Sequence, residues 1–163
     1  MATTTFRPNA YKSPAKNNYL NGLNNISNVL TGTDSTYGSS SYTTTMGYTV
    51  FRMIWTPSVF NSIPPNSTIN SVTCYVRAAA TKSKMTLANA GYVYKDCSNE
   101  DAWGDGSDQG TRMTDISVSA TWSSTTFSSY SFSVPIGNLK STGLSMYFRF
   151  NNDAIASNEL RVS

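Results

Sequence analysis

The sequence predicts an all-β domain: an antiparallel β-sandwich of about eight strands, of jelly-roll or immunoglobulin-like type, preceded by an extended N-terminal arm. Three observations carry this prediction. Only 13% of the 163 residues are charged and 39% are hydrophobic. Ser, Thr and Asn fill most of the rest, and with the ten Tyr they suit pleated strands with a hydroxyl-rich outer face rather than helices. Apolar residues also recur at every second position in one run after another, the period of a half-buried strand. Clusters of Pro, Gly, Asn and Ser separate these runs at regular spacing, as in sandwiches. The length fits one domain with a sizeable core.

The elements follow in order. Residues 1–24 combine Pro8, Pro14 and Gly22 with several Asn and hold no sustained period, so they form the extended arm, with the sandwich over 25–163. ISNVL (26–30) is a short apolar stretch before the loop TGTDSTYGSSS. Residues 46–55 form a largely buried strand closed by Thr56-Pro57, and NSIPPNS (61–67) is a turn. In INSVTCYVRA (69–78), Val72, Cys74, Val76 and Ala78 share one face, and Ser71, Thr73, Tyr75 and Arg77 the other. That phase points Cys74 into the core as a small hydrophobe. Residues 84–95 are a strand with Met85, Leu87 and Val93 in phase, and Gly91 marks a bulge or a close backbone approach. DCSNEDAWGDGSDQGT (96–111) is a long polar loop. Three further strands turn inward Ile116, Val118, Ala120 and Trp122, then Tyr130, Phe132, Val134 and Ile136, then Leu144, Met146, Phe148 and Phe150. ELRVS (159–163) begins a last strand with Leu160 and Val162 in phase.

The net charge is +3, and its placement is informative. Arg7, Lys12 and Lys16 precede the first carboxylate, Asp34, and the remaining nine basic residues match the nine carboxylates. The body is therefore neutral, which argues against nucleic acid as a partner. The basic excess sits in the arm, where it either docks on an acidic protein surface or is simply solvated. The first twenty residues lack the apolar region of a secretory signal, and no run approaches membrane-spanning length. Synthesis in the cytoplasm is the expectation, with no membrane partner and with Cys74 and Cys97 as free thiols, a single bridge remaining the alternative.

Histidine is absent. That removes Ser-His-Asp and Cys-His nucleophile systems, His-containing zinc sites and His general bases. No glycine-rich phosphate loop or dinucleotide fingerprint is present. Carboxylate-only catalysis would draw on Asp96, Glu100, Asp101, Asp105 and Asp108, which all lie on one loop, whereas glycosidase acids face each other across a cleft. The expectation is a non-enzyme without a cofactor. Asp101, Asp105 and Asp108 with neighbouring glycines are weak calcium candidates, although Asp and Gly populate turns for local backbone reasons. Trp103 in the same loop is either an exposed glycan or interface contact or a cap on one end of the sandwich. Thr43, Thr44 and Thr45, like Ser117, Ser119 and Thr121, form hydroxyl-rich outward faces suited to subunit or glycan contacts, and equally to a solvated sheet.

At IPPNSTINSVTCYVRAAA (63–80) the sequence resembles accessory virion proteins of tailed bacteriophages, in which a motif such as IPxNATIxSVxxxVRA joins a turn to a core strand of a β-sandwich. NISNVLTGTDSTYGSSS (25–41) resembles the usual partner block, and NELRVS (158–163) the closing strand. Together these touch about half of the chain, and they describe a fold rather than an active site. The resemblance implies a non-enzymatic structural protein of the virion: a capsid decoration protein, head fibre, neck or tail component. In that reading the arm docks on other virion proteins through Phe6, Arg7, Tyr11, Lys12, Lys16 and Tyr19, and the sandwich projects as a homo-oligomer. Similar patterns occur in secreted bacterial β-sandwich modules attached to carbohydrate-active or adhesive proteins. The alternative expectation is thus a module recognising a bacterial surface glycan through Trp103 with Tyr92 or Tyr94.

Overall fold

The structure, a computed structural model, describes residues 2–12, 20–31, 33–42, 47–82, 84–96, 113–152 and 158–163. Among them the strands in chain order are β1 (Ala10–Lys12), β2 (Leu20–Asn21), β3 (Gly38–Tyr42), β4 (Tyr48–Trp55), β5 (Val72–Ala80), β6 (Met85–Val93), β7 (Thr114–Ile116), β8 (Ala120–Trp122), β9 (Ser128–Val134), β10 (Leu144–Asn152) and β11 (Asn158–Val162). They form two sheets. Sheet one runs β1-β4-β10-β6-β7, with β2 also on β4 and β8 also on β6, and sheet two runs β3-β11-β5-β9. Every pairing is antiparallel except that of β2 with β4. The all-β sandwich expected from composition and period is the fold.

The two sheets bury their facing sides in one core. Sheet one contributes Phe51, Met53, Met85, Leu87, Met146, Phe148 and Phe150, and sheet two Cys74, Val76, Ala78, Leu160 and Val162. Phe51 stacks on Phe148 and Phe150 at 5.3 and 5.9 Å between centroids, and Trp122 lies 5.6 Å from Phe150. A hydroxyl pair also crosses the core, between Tyr42 on β3 and Thr49 on β4. The centre of sheet one is buried on its other side as well, where Val50, Arg52, Ile54, Ser145 and Tyr147 are all at most 1% exposed. This accounts for the near-continuous apolar run of β4, since a strand covered on both faces does not alternate.

Several details refine or correct the strands read in the sequence. The register between β10 and β6 shifts between Arg149 and Phe150, so that Ala88 is an extra residue opposite no partner. A bulge of one residue reverses the side-chain phase. Met85 and Leu87 face the core before it, Ala90 and Tyr92 after it, and Val93 packs with Val50 and Tyr147 on the opposite side of the sheet. Gly91 is the close approach rather than the bulge, since a Cβ there would lie 3.3 Å from Met113 Cβ. Ile136 does not continue the inward face of β9. The strand ends at Val134, Pro135 follows, and Ile136 is 55% exposed. The run from 114 to 122 keeps its phase but divides into β7 and β8, and residues 26–30 form a 3-10 turn whose Ile26 and Val29 are buried. The end of the expected loop TGTDSTYGSSS is instead strand β3 (Gly38–Tyr42), which pairs with β11 and turns Tyr42 into the core. With β1, β2 and the division of 114–122 it brings the strands among the described residues to eleven rather than about eight.

From Phe6 on, the described part of the N-terminal segment lies along the sandwich. β1 pairs with β4, from Ala10↔Ile54 to Lys12↔Arg52. Phe6 meets Phe60 edge-on at 5.1 Å, its carbonyl accepts a hydrogen bond from Trp55 Nε1 at 3.1 Å, and Leu23 belongs to the core.

Candidate functional site

Sheet two offers the most distinctive surface among the described residues. Its strands alternate cleanly, so that Thr73, Tyr75 and Arg77 on β5 stand outward about 7 Å apart, two residues per step. Across β9 they face Ser133, Ser131 and Ser129. On the other side of the sheet Arg161 and Glu159 of β11 face Ser39 and Ser41 of β3. Tyr75 is 68% exposed, the largest exposure of any bulky hydrophobic side chain described. An aromatic ring left in water at the middle of a hydroxyl-covered sheet has no packing role to explain it.

One end of this face is locked by charge and rings. Arg77 donates to Asp34 through Nε at 2.7 Å and Nη2 at 2.5 Å, a forked pair of the kind guanidinium geometry favours. Ser163 Oγ donates to the same carboxylate at 3.3 Å. The Arg77 hydrogen bonds hold the Asp34 carboxyl below its ordinary range, and Asp34 in turn raises the Arg77 guanidinium. Beside it Arg161 pairs with Glu159 at 2.5 Å, a half-exposed contact worth at most about 1 kcal/mol. Arg161 also lies 4.9 Å over the Tyr37 ring, Arg77 lies 5.9 Å over Phe127, and the two rings are 5.8 Å apart. Each cation is therefore matched by a carboxylate, and the face carries no net charge. Such a surface is equipped for stacking and hydrogen bonding.

The residues singled out in the sequence fall in several places. Arg7 is exposed, Tyr11 is 39% exposed and Lys12 is half-buried on β1, whereas Phe6 packs against the sandwich itself. Lys16, Tyr19, Thr43, Thr44, Thr45, Cys97, Glu100, Asp101, Trp103, Asp105 and Asp108 lie outside the described residues. Asp96 is exposed. Tyr92 and Tyr94 meet edge-on at 5.9 Å and are half-buried. The Tyr94 hydroxyl donates to Pro135 O and its ring lies flat against Gly137, where a Cβ would come within 2.2 Å. These two tyrosines serve packing in the sandwich. Burial raises the Tyr94 phenol above its usual value. Cys74 is a free, buried thiol that desolvation pushes up to about 12, in keeping with a core role. Among the described residues no group of three or more His, Cys, Asp or Glu could hold a metal ion, and no helix is long and apolar enough to cross a membrane.

The outward direction of Tyr75 and Arg77 was legible from period alone. The meeting of Asp34 with Arg77, 43 residues apart, and of both with Ser163 was not, because nothing local in the sequence brings a turn and two strands together. No family model, no curated protein and no solved structure matches the chain.

Proposed function

We propose that the chain is a non-enzymatic structural protein of a bacteriophage virion, a capsid decoration, head-fibre, neck or tail component, made in the host cytoplasm and carried on the particle. One observation supports this above others. The three blocks that resemble accessory virion proteins, 25–41, 63–80 and 158–163, are far apart in sequence but supply β3, β5 and β11, which are neighbours in sheet two. Asp34 of the first block, Arg77 of the second and Ser163 of the third share one hydrogen-bonded cluster. The resemblance therefore concerns one structural unit rather than three scattered coincidences. In this reading Arg7, Tyr11 and Lys12 dock on an acidic neighbour in the particle, joined by Lys16 and Tyr19, while Phe6 fastens the segment to its own sandwich. Quantitative mass spectrometry of purified particles tests the proposal. High copy number supports capsid decoration, low copy number supports a neck, tail or fibre position, and absence from clean particles overturns it.

The exposed Tyr75 favours a second reading, in which the module binds a bacterial surface glycan. A neutral face of serine and threonine hydroxyls around a solvent-facing ring suits an uncharged saccharide, which stacks on the aromatic and exchanges hydrogen bonds at its rim. A glycan array compares the wild type with Tyr75→Ala. Binding lost in the variant supports this reading, and an array blank for the wild type removes it without touching the virion proposal.

A further inference from the structure

Strand β9 stands at the edge of sheet two, paired with β5 on one side and with no other strand among the described residues. Exposed edges invite pairing with another chain, and proteins blunt them with short strands, charges, prolines or bulges. The other edges here are blunted: β1, β7 and β8 are three residues each, and β3 is covered by the backbone bridge Asn24↔Ser39. β9 is not. Its seven residues, SSYSFSV, contain no charge and no proline, and they run in unbroken register with β5 from Val72↔Val134 to Ala78↔Ser128.

The direction of its free backbone groups follows from a single hydrogen bond. Ser163 N–H donates to Arg77 O at 3.0 Å, so Arg77 aims its backbone at β11. Alternate residues of an antiparallel strand aim the same way, which leaves Val72, Cys74, Val76 and Ala78 aimed at β9. Their partners Val134, Phe132, Tyr130 and Ser128 are thereby committed to β5. Ser129, Ser131 and Ser133 turn their N–H and C=O groups to the open side.

That edge is complementary to itself. Antiparallel pairing centred on Ser131 sets Ser131 against its own copy and Ser129 against Ser133, so that all the outward backbone groups are matched. Tyr130 then falls opposite Phe132 at the non-hydrogen-bonded position, where side chains come closest. The two rings are half-buried and 6.0 Å apart within one chain, and the pairing covers them from the neighbour's side. No like charges meet, and the contact is isologous, so it closes as a pair. We propose that two copies of this protein associate through β9 about a two-fold axis at Ser131, joining two four-stranded sheets into one continuous sheet. The inference rests on β9 alone and stands apart from the virion reading.

Sedimentation equilibrium of the full chain tests it. The wild type is expected at 35.4 kDa, twice 17.7 kDa, in the micromolar range. Ser131→Lys and Ser131→Asp each place like charges directly opposite one another and weaken self-association roughly tenfold or more. Both substitute an exposed side chain, so the wild-type circular dichroism spectrum is kept and each variant still melts cooperatively, at a Tm that no longer depends on protein concentration. An equimolar mixture of the two restores the 35.4 kDa species, because opposite charges then meet. Ser131→Pro, which removes an N–H aimed away from β5, sediments as the monomer. A wild type that is monomeric throughout overturns the proposal, as does a dimer that all three substitutions leave intact.

Discussion

Replacing Gly143 by Ala is the sharpest test of how closely β4 and β10 pack at the end of sheet one. Gly143 stands between the short helix α1 (Leu139–Thr142) and β10, with φ 71° and ψ −171°. This is a region open to glycine and closed to residues with a Cβ, at a cost of roughly 1–3 kcal/mol. The added Cβ would also lie 2.5 Å from the carbonyl oxygen of Trp55 and 3.1 Å from Pro57 Cδ. The oxygen belongs to backbone at the end of β4, opposite Leu144 in the register, so relief requires parting the strands, a further cost of roughly 1–3 kcal/mol. A total near 4 kcal/mol corresponds to a fall in Tm of about 8–16 °C for a chain of this size. Thermal melting followed by circular dichroism reads it. Gly91→Ala isolates the steric part: its Cβ meets Met113 Cβ at 3.3 Å without a positive φ, and Tm should fall by less than for Gly143→Ala. Gly143→Asn should not rescue, because Asn tolerates the left-handed helical region and ψ −171° lies outside it. A Gly143→Ala protein melting within about 2 °C of the wild type would refute the reasoning.

Three other outcomes follow from the same structure. Phe150→Ala empties the space between Phe51 and Trp122 at a fully buried position, and urea titration should show a loss of about 3–5 kcal/mol. In a Cys97→Ala background the Cys74 thiol, pushed up to about 12 by burial, should stay unreactive toward an aromatic disulfide reagent at pH 8 (about the usual working value) until the protein is unfolded; rapid native reaction would place it at the surface. The Arg77 hydrogen bonds lower the Asp34 carboxyl from its ordinary 3.8, so their stabilisation is complete above that value and is lost as pH falls through the depressed one. In an NMR titration the Tyr37 and Phe127 signals should shift together in that acid window, and Asp34→Asn should abolish the step.

How much of this was legible beforehand depends on what each feature needs. The phase of β5, β10 and β11 came from period alone, because an inward side chain on a strand faced by another sheet must be apolar whatever its neighbours are. Val93 and Ile136 escaped the same reasoning for different reasons. Val93 lies beyond the bulge at Ala88, and a bulge is a property of two strands in register, so one strand's sequence does not display it. Ile136 follows Pro135, where the ladder stops, and an apolar residue past the end of a strand no longer has a face. Of the candidate site, the outward direction of Tyr75 was readable, but its isolation in water was not.

By itself the sequence determined the class of the fold, the inward set of most strands, the absence of histidine chemistry and the near-neutral body, since these depend on residue type and on a two-residue period that the backbone imposes locally. Only the tertiary structure decided which strands are neighbours. That order brings Asp34, Arg77 and Ser163 together, buries Arg52 at the centre of sheet one and leaves β9 at an edge. Those outcomes belong to pairings across 40 residues and more, where hydrogen-bonded neighbours are selected by the whole core at once and no local pattern specifies them.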